Sequence, residues 1–348
     1  LDSGVDAGQP QLRGRVEHGY DAVTGHGSAD SDCLGTGTAV AGAIAGAKSG
    51  TSGIFGMAPS ATIVPVRVFG EPGASISAKP TAAVLARGIN WAADQHVDVI
   101  DVSTALTADN PAVRQAVSLA LADGIVVIAA AGDLGSADGG DPITYPADYP
   151  GVIGVGAIDD AGQPWDSSEH GAYVDLVAPG AGVPVLARSH GLVLADGTAT
   201  AAGFVSGAAA LIRARWPKEG RSQVTTRLLT TASPAAVPTG GSGVVNPALA
   251  VTATGNSASA APLPGLRPAA LDPARAAAAA QRRHSRSVAG VGTVIALGLL
   301  LVVALLAIGL PRARRSSWRA AFAPAPVEHP EPIEPLPVPL LFDEPGTT

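Results

Sequence analysis

The 348-residue sequence has a single cysteine, Cys33. That excludes an intramolecular disulfide and leaves the redox compartment open. Cys33 reads as a small, half-buried side chain. Positive charge is scarce as well. The chain carries 22 Lys and Arg against 29 Asp and Glu, a formal net charge of −7, which argues against nucleic acid as the main partner. His18, His170 and His190 stand isolated, without the spacing that holds a metal, so neither a metal nor a cofactor is expected. An initiator methionine and a signal peptide are missing too. The chain opens on "LDSGVDAGQP", which reads as the end of a strand whose earlier part lies upstream, in a truncated or processed chain. The missing targeting segment therefore carries no weight.

What the sequence does have is apolar. Hydrophobic residues make up 47% of it, enough for a sizeable core and a membrane segment. Up to about residue 250, branched apolar runs alternate with helical stretches. "ATIVPVRVF" (61–69), "VDVIDVS" (97–103), "IVVIAAAG" (125–132) and "VIGVGAI" (152–158) predict strands buried on both faces. Between them, "TAAVLARGINWAADQH" (81–96) and "NPAVRQAVSLALADG" (110–124) place apolar residues at helical spacing. Asn110-Pro111 opens the second as an N-cap followed by proline, and Gly124 closes it. Strand–helix–strand alternation predicts an α/β fold, a doubly wound parallel sheet with helices on both faces. In such a fold, sites form in the loops beyond the carboxyl ends of the strands.

Near residue 252 the composition changes. Residues 252–287 are rich in Ala, Pro and Ser and read as a linker. "VAGVGTVIALGLLLVVALLAIGL", 288–310, is uncharged and long enough at 1.5 Å per residue to cross the ~30 Å hydrocarbon core of a bilayer. It predicts a single transmembrane helix. Arg312, Arg314, Arg315 and Arg319 follow it, and Arg282, Arg283 and Arg286 precede it. That slight bias predicts a cytoplasmic C-terminus, with the large domain outside the cytoplasm. The last segment, 311–348, is a basic juxtamembrane stretch and then a proline-rich acidic tail, read as extended and solvated.

Four ordered segments carry a resemblance. "LDSGVD" (1–6) is similar to an aspartate motif D-T/S-G, and "DCLGTGTAVAGAIAG" (32–46) to a histidine motif G-H-G-T-x-V-A-G. "VVIAAAGD" (126–133) is similar to a segment ending in an oxyanion asparagine, and "GTATAAGFVSG" (197–207) to G-T-S-x-A-A-P-x-V-S-G. "GVVNPALAV" (243–251) is similar to the usual close of that domain. Residues 1–251 thus resemble the subtilisin-like serine proteases, and more narrowly the membrane-anchored mycosins of type VII secretion. The resemblance implies a peptidase-like domain and, as partners, a membrane bilayer and secretion-complex subunits. It also implies an extended peptide at the edge "VDVIDVSTA" (97–105), with Ser103, Thr104 and Ala105 as substrate-binding residues.

The same segments depart from the family where the chemistry happens. Acyl transfer needs a hydroxyl nucleophile, an imidazole to shuttle its proton, a carboxylate to orient that imidazole, and donors for the oxyanion. Asp2 keeps the carboxylate position. Thr36 stands at the histidine position, where a neutral hydroxyl is no general base near pH 7. Ala199 stands at the serine position with only a methyl group. Asp133 replaces the oxyanion asparagine, turning a donor into an acceptor, and Gly203 replaces a proline. The expectation is a catalytically inactive protease homologue, with Asp2 hydrogen-bonded by Thr36 or a nearby N–H. Thr198 and Thr200 are expected to cap or pack.

An alternative reading is an active serine-type endopeptidase using a different constellation. His26, in the local echo "TGHGSAD" (24–30), would be its base. A third is a chain without a present function.

Overall fold

The computed structural model describes residues 1–48, 54–70, 79–135, 141–235 and 241–254. The chain divides into two units, Leu1–Arg267 and Pro268–Thr348, and every element named below belongs to the first. In chain order these are β1 (Tyr20–Asp21), α1 (Thr36–Ala45), β2 (Val66–Arg67), α2 (Ala82–Asp94) and β3 (Val99–Val102). They continue with α3 (Pro111–Ala122), β4 (Val126–Ala130), β5 (Ile153–Ile158), β6 (Leu176–Pro179) and a hairpin of β7 (Val183–Leu186) and β8 (Leu192–Ala195). The helices α4 (Thr198–Arg215), α5 (Arg221–Thr230) and α6 (Pro247–Thr252) complete the described part. The expected membrane span at 288–310, the tail at 311–348 and nearly all of the linker lie outside the described residues. Among the described residues no helix is long and apolar enough to cross a membrane.

The expected α/β architecture is present. β3, β4, β5 and β6 form one parallel sheet in that order. Every residue of β4 and β5 is buried, as a continuous branched run requires when both faces are covered. Alternation along β4 feeds two cores. Val127 and Ala129 face the layer of α2 and α3, while Val126, Ile128 and Ala130 face α4, with Val224 and Leu228 of α5 behind it. The helix ends follow the local chemistry. The Asn110 side chain accepts from the N–H of Ala112 at 3.0 Å, Pro111 opens α3, and Gly124 (φ +81°) closes it.

Two details differ from the sequence reading. The run 61–69 is mostly not a regular strand. It pairs through a single bridge from Ile63 to Val16 and then through the two residues of β2, because Pro65 between them has no N–H to give. The β7–β8 hairpin lies in a stretch with no strand expectation. Its second strand is half polar in environment, with Leu192, Val193 and Leu194 at 45–68% exposure, so no buried alternation marks it.

The chain start is built into the sheet. Leu1 N–H donates to Asp101 O at 2.7 Å and Ser103 N–H donates to Leu1 O at 3.3 Å. On the other side Asp2 N–H donates to Val66 O at 3.0 Å and Val68 N–H donates to Asp2 O at 2.8 Å. Leu1 and Asp2 therefore lie between β2 and β3. The N-termini of α1 and α4 follow sites in the loops, and the two helices pack closely. A Cβ at Gly203 would meet Val40 Cγ1 at 3.1 Å and Val40 O at 3.3 Å, so the lack of a side chain at residue 203 lets α1 approach.

Candidate functional site

The first half of the site forms where the chain leaves the sheet after Asp2 and enters α1 at Thr36. Asp2 is 6% exposed. Thr36 Oγ1 lies 2.6 Å from Asp2 Oδ1, and the Ser3 N–H donates to the same oxygen at 2.7 Å. The expected Asp2–Thr36 contact is therefore made. Asp2 Oδ2 is buried without a hydrogen-bond partner. Burial is the main reason the Asp2 carboxyl is pushed up to about 6. The Thr36 and Ser3 hydrogen bonds and the nearby amino terminus oppose that shift, and the Asp32 carboxylate adds to it.

Behind Thr36 runs a chain of hydroxyls. Ser3 Oγ lies 2.8 Å from Thr36 Oγ1 and 2.8 Å from Asp32 Oδ1. Two hydroxyl protons must serve three oxygen–oxygen contacts. With Asp2 ionised, Thr36 donates to Asp2, Ser3 donates to Asp32, and the Ser3–Thr36 contact has no proton. A protonated Asp2 supplies the third, so the chain runs Asp2 to Thr36 to Ser3 to Asp32 with every contact filled. Asp32 is a strong terminus for it. It also accepts from the N–H groups of Leu34 (3.0 Å), Gly35 (2.8 Å) and Thr38 (2.9 Å), and from the Thr38 hydroxyl (2.7 Å). The N-cap of α1 is Gly35, which has no side chain to offer, so Asp32 takes the Gly35 and Thr38 N–H groups of the first turn and Ser3 Oγ takes that of Gly37 at 3.1 Å.

The second half lies between β4 and α4. Asp133, exposed, accepts the Thr198 N–H at 2.8 Å and the Thr198 hydroxyl at 2.7 Å through one oxygen, Oδ1. Thr198 in turn accepts the Gly132 N–H at 3.0 Å. The buried Thr198 thus pins the loop after β4 to the start of α4, whose first N–H is capped by Asp133 and not by a threonine, and Thr200 is buried at 4% exposure. Ala199, half-buried, presents a methyl group beside this pair. A negatively charged Asp133 at a helix N-terminus is stabilising in its own right. As an acceptor it offers nothing to a developing oxyanion.

The subtilase family profile matches residues 1–292. The chain belongs to the subtilase family. It is 37% identical over 233 residues to subtilisin DY from Bacillus licheniformis, covering 67% of this chain and 82% of that protein. Against subtilisin E from Bacillus subtilis (strain 168) it is 35% identical over 233 residues, 67% of this chain and 59% of that protein. Among solved structures it is similar to MycP1 with the N-terminal propeptide removed. The TM-score is 0.61 at 30% identity, over 72% of this chain and 89% of that one. It is also similar to the MycP3 protease from the type VII (ESX-3) secretion system, with a TM-score of 0.59 at 32% identity over 72% and 81%. This is a mycosin-like subtilase, a homologue of the serine proteases of that family.

The remaining candidate residues of this subtilase fall in two groups. Ser103, Thr104 and Ala105 are all buried, at 7%, 9% and 5% exposure. The Ser103 hydroxyl is bonded to Asp101, and beyond Ala105 the chain pairs antiparallel through Leu106 and Tyr145. The histidines are elsewhere. His26 is exposed in its loop, and the Ser28 hydroxyl donates to Asp30 at 2.7 Å and not to a ring. His18 Nδ1 pairs with Asp30 at 2.7 Å and His170 Nδ1 with Asp141 at 2.9 Å. Among the described residues no imidazole nitrogen is hydrogen-bonded to a Ser or Thr hydroxyl. No cluster of three His, Cys, Asp or Glu there could hold a metal.

Sequence reasoning missed Ser3, Asp32 and two buried carboxylates. Asp32 stands four residues before α1 in "DCLGT", and an Asp ahead of a glycine-rich helix start is a usable capping signal. Asp101, bonded to the hydroxyls of Ser103 and Ser206, and Glu169, bonded to Leu134 N–H and the Tyr173 hydroxyl, have raised carboxyl pKa values because of burial. Their partners come from distant segments, so no local pattern marks them.

Proposed function

We propose that this chain is a non-catalytic subtilase of mycosin type, anchored in a membrane, that binds a protein partner or an extended peptide without cleaving it. The observation that carries this reading is the side-chain chemistry at the start of α4. Ala199 offers a methyl group where the family's serine would attack, and the neighbouring donors of Thr198 are already bound by Asp133. Thr36 supports it from the other side. Its hydroxyl is committed to Asp2 and Ser3, and a hydroxyl cannot carry a proton between nucleophile and leaving group near pH 7.

The binding half of the proposal draws on the segment 97–105, whose Ser103–Ala105 stretch would pair with an extended peptide by β-augmentation. The domain plan is residues 1–251 as the subtilase-like body, 252–287 as linker, 288–310 as the membrane span and 311–348 as the tail. The body would sit outside the cytoplasm and the tail within it. The partner class comes from the relatives, one of which is described as an essential component of the type VII (ESX-1) secretion system. The proposed partners are therefore subunits of a type VII secretion membrane complex.

Flotation of the full chain with liposomes tests the anchoring. The full chain rises with the vesicles, and a version ending at residue 254 stays at the bottom. A full chain that also stays behind would refute the anchor. Co-purification with secretion-complex subunits from detergent extracts tests the partner. If a catalytically competent mycosin is captured by those subunits and this chain is not, the scaffold role fails.

A further inference from the structure

The β7–β8 hairpin has one bare edge. Its strands pair antiparallel, with Leu186 opposite Leu192, Val185 opposite Val193 and Pro184 opposite Leu194. At the turn the Ala187 N–H donates to Gly191 O at 3.1 Å. Counting from that bond, alternation joins Val185 to Val193 and Val183 to Ala195 by hydrogen bonds. It leaves the backbone groups of Leu192 and Leu194 pointing away from β7. Pro184 fits that phase, because it faces Leu194 at a pair that asks for no N–H. Among the described residues the N–H and C=O groups of Leu192 and Leu194 have no hydrogen-bond partner.

The two strands differ in what holds them. Val185 and Leu186 of β7 are buried, and Leu186 packs with Leu12 and Ala41. On β8, Leu192, Val193 and Leu194 are 45%, 51% and 68% exposed. Three apolar residues in a row thus stand on a free edge, with no lysine, proline or bulge among them to blunt it. The ends of this edge carry opposite charge. Arg188 and His190 are exposed at the turn, and Asp196 is exposed where β8 ends.

We propose that β8 pairs with β8 of a second copy of this chain, antiparallel about a two-fold axis at Val193. The occupant follows from self-complementarity. In that register Leu192 lies opposite Leu194 of the other copy, so the outward backbone groups meet in four hydrogen bonds. The cationic turn end of each copy meets the acidic end of the other, and His190 stands across from Asp196. The product is a four-stranded antiparallel sheet, with four leucines on one face and two Val193 side chains on the other. A three-residue edge buries less than the ~1,200 Å² of stable complexes, so the pairing is transient. It does not depend on whether the chain cleaves anything or is anchored in a membrane.

The register makes the proposal testable by disulfide trapping of the purified full chain in mild detergent, with Cys33→Ser as background. Residue 193 faces itself in a non-hydrogen-bonded pair, with Cα atoms about 4.5 Å apart, within reach of a disulfide. Residue 194 lies roughly 8–9 Å from its own copy, which is too far. On mild oxidation Val193→Cys should cross-link about tenfold faster or more than Leu194→Cys or the exposed α5 control Ser222→Cys. Adding Leu194→Pro, which removes an outward N–H, abolishes that advantage, and adding His190→Asp, which makes both ends acidic, slows it severalfold. Equal rates at 193, 194 and 222 overturn the proposal, as does a rate at 193 that ignores the proline or the aspartate. Protection of the Leu192 and Leu194 amides from hydrogen exchange that follows added lipid, and not protein concentration, would put a bilayer on this edge and overturn it too.

Discussion

The two halves of the site have absorbed their substitutions differently. Around Asp2 the partner is a short hydroxyl, that of Thr36, and the surroundings are buried. The consequence is a closed network of Asp2, Thr36, Ser3 and Asp32 with one oxygen, Asp2 Oδ2, left over. Around Ala199 the substitutions face solvent. Asp133 folds back onto Thr198 and caps α4, and its second oxygen can be met by water. A carboxylate held by hydroxyl and backbone donors carries a titratable strain where water is excluded and almost none where it is not.

Four experiments would break or sharpen this contrast. The largest effect is expected from rebuilding chemistry across both halves. In subtilisin, a relative for which the figure is known and not inferred from this chain, removing serine or histidine costs on the order of 10⁶ in turnover. A Thr36→His, Asp133→Asn, Ala199→Ser chain should therefore gain peptidase turnover by a factor on the order of 10³ or more over the parent. Ala199→Ser alone should stay at the parent's level in the same fluorogenic assay. Activity in the single variant would mean that a base other than residue 36 is in place.

Next comes Asp32→Ala. It strips the acceptor from three N–H groups and two hydroxyls in a buried position, and urea melts should show a loss of about 3–4 kcal/mol. A change under ~1 kcal/mol would mean that α1 is capped by water and not by this carboxylate.

Asp2 predicts a slope and not only a step. Its folded-state pKa of about 6 lies above the ordinary carboxyl value, so the folded chain holds the proton longer than the unfolded one. Its favourable contribution is complete below about pH 4 and is lost as the pH rises through about 6, a change of up to ~3 kcal/mol. Asp2→Asn should flatten stability between pH 4 and pH 7. It should also exceed the parent by about 1–2 kcal/mol at pH 8, because a neutral amide replaces a buried charge. Parallel pH profiles for the two proteins would remove Asp2 as the cause.

The smallest effect is expected on the exposed side. Asp133→Ala should cost about 1 kcal/mol through loss of a helix cap, and Asp133→Asn less. A loss as large as that of Asp32→Ala would show that the two halves are equally buried in energetic terms.

How much of this was legible in the residues follows from how local each cause is. β4 and β5 were visible because a run such as "IVVIAAAG" needs both faces covered. α3 was visible because Asn110, Pro111 and Gly124 mark its ends. The Asp2–Thr36 contact could be anticipated because a carboxylate without its imidazole must find another donor. Ser3–Asp32 and Asp101–Ser206 could not, since each joins segments separated by 29 and 105 residues. The β7–β8 hairpin was silent because its second strand buries too little apolar surface to leave a pattern.

The central claim is that the attacking oxygen and the proton shuttle are both gone from this subtilase. Intact-mass spectrometry after incubation with a fluorophosphonate measures that most directly, with the Thr36→His, Asp133→Asn, Ala199→Ser chain as the positive control. The account predicts an unmodified mass for the natural sequence and one phosphonyl adduct for the rebuilt one. A stoichiometric adduct on a hydroxyl of the natural sequence would contradict it.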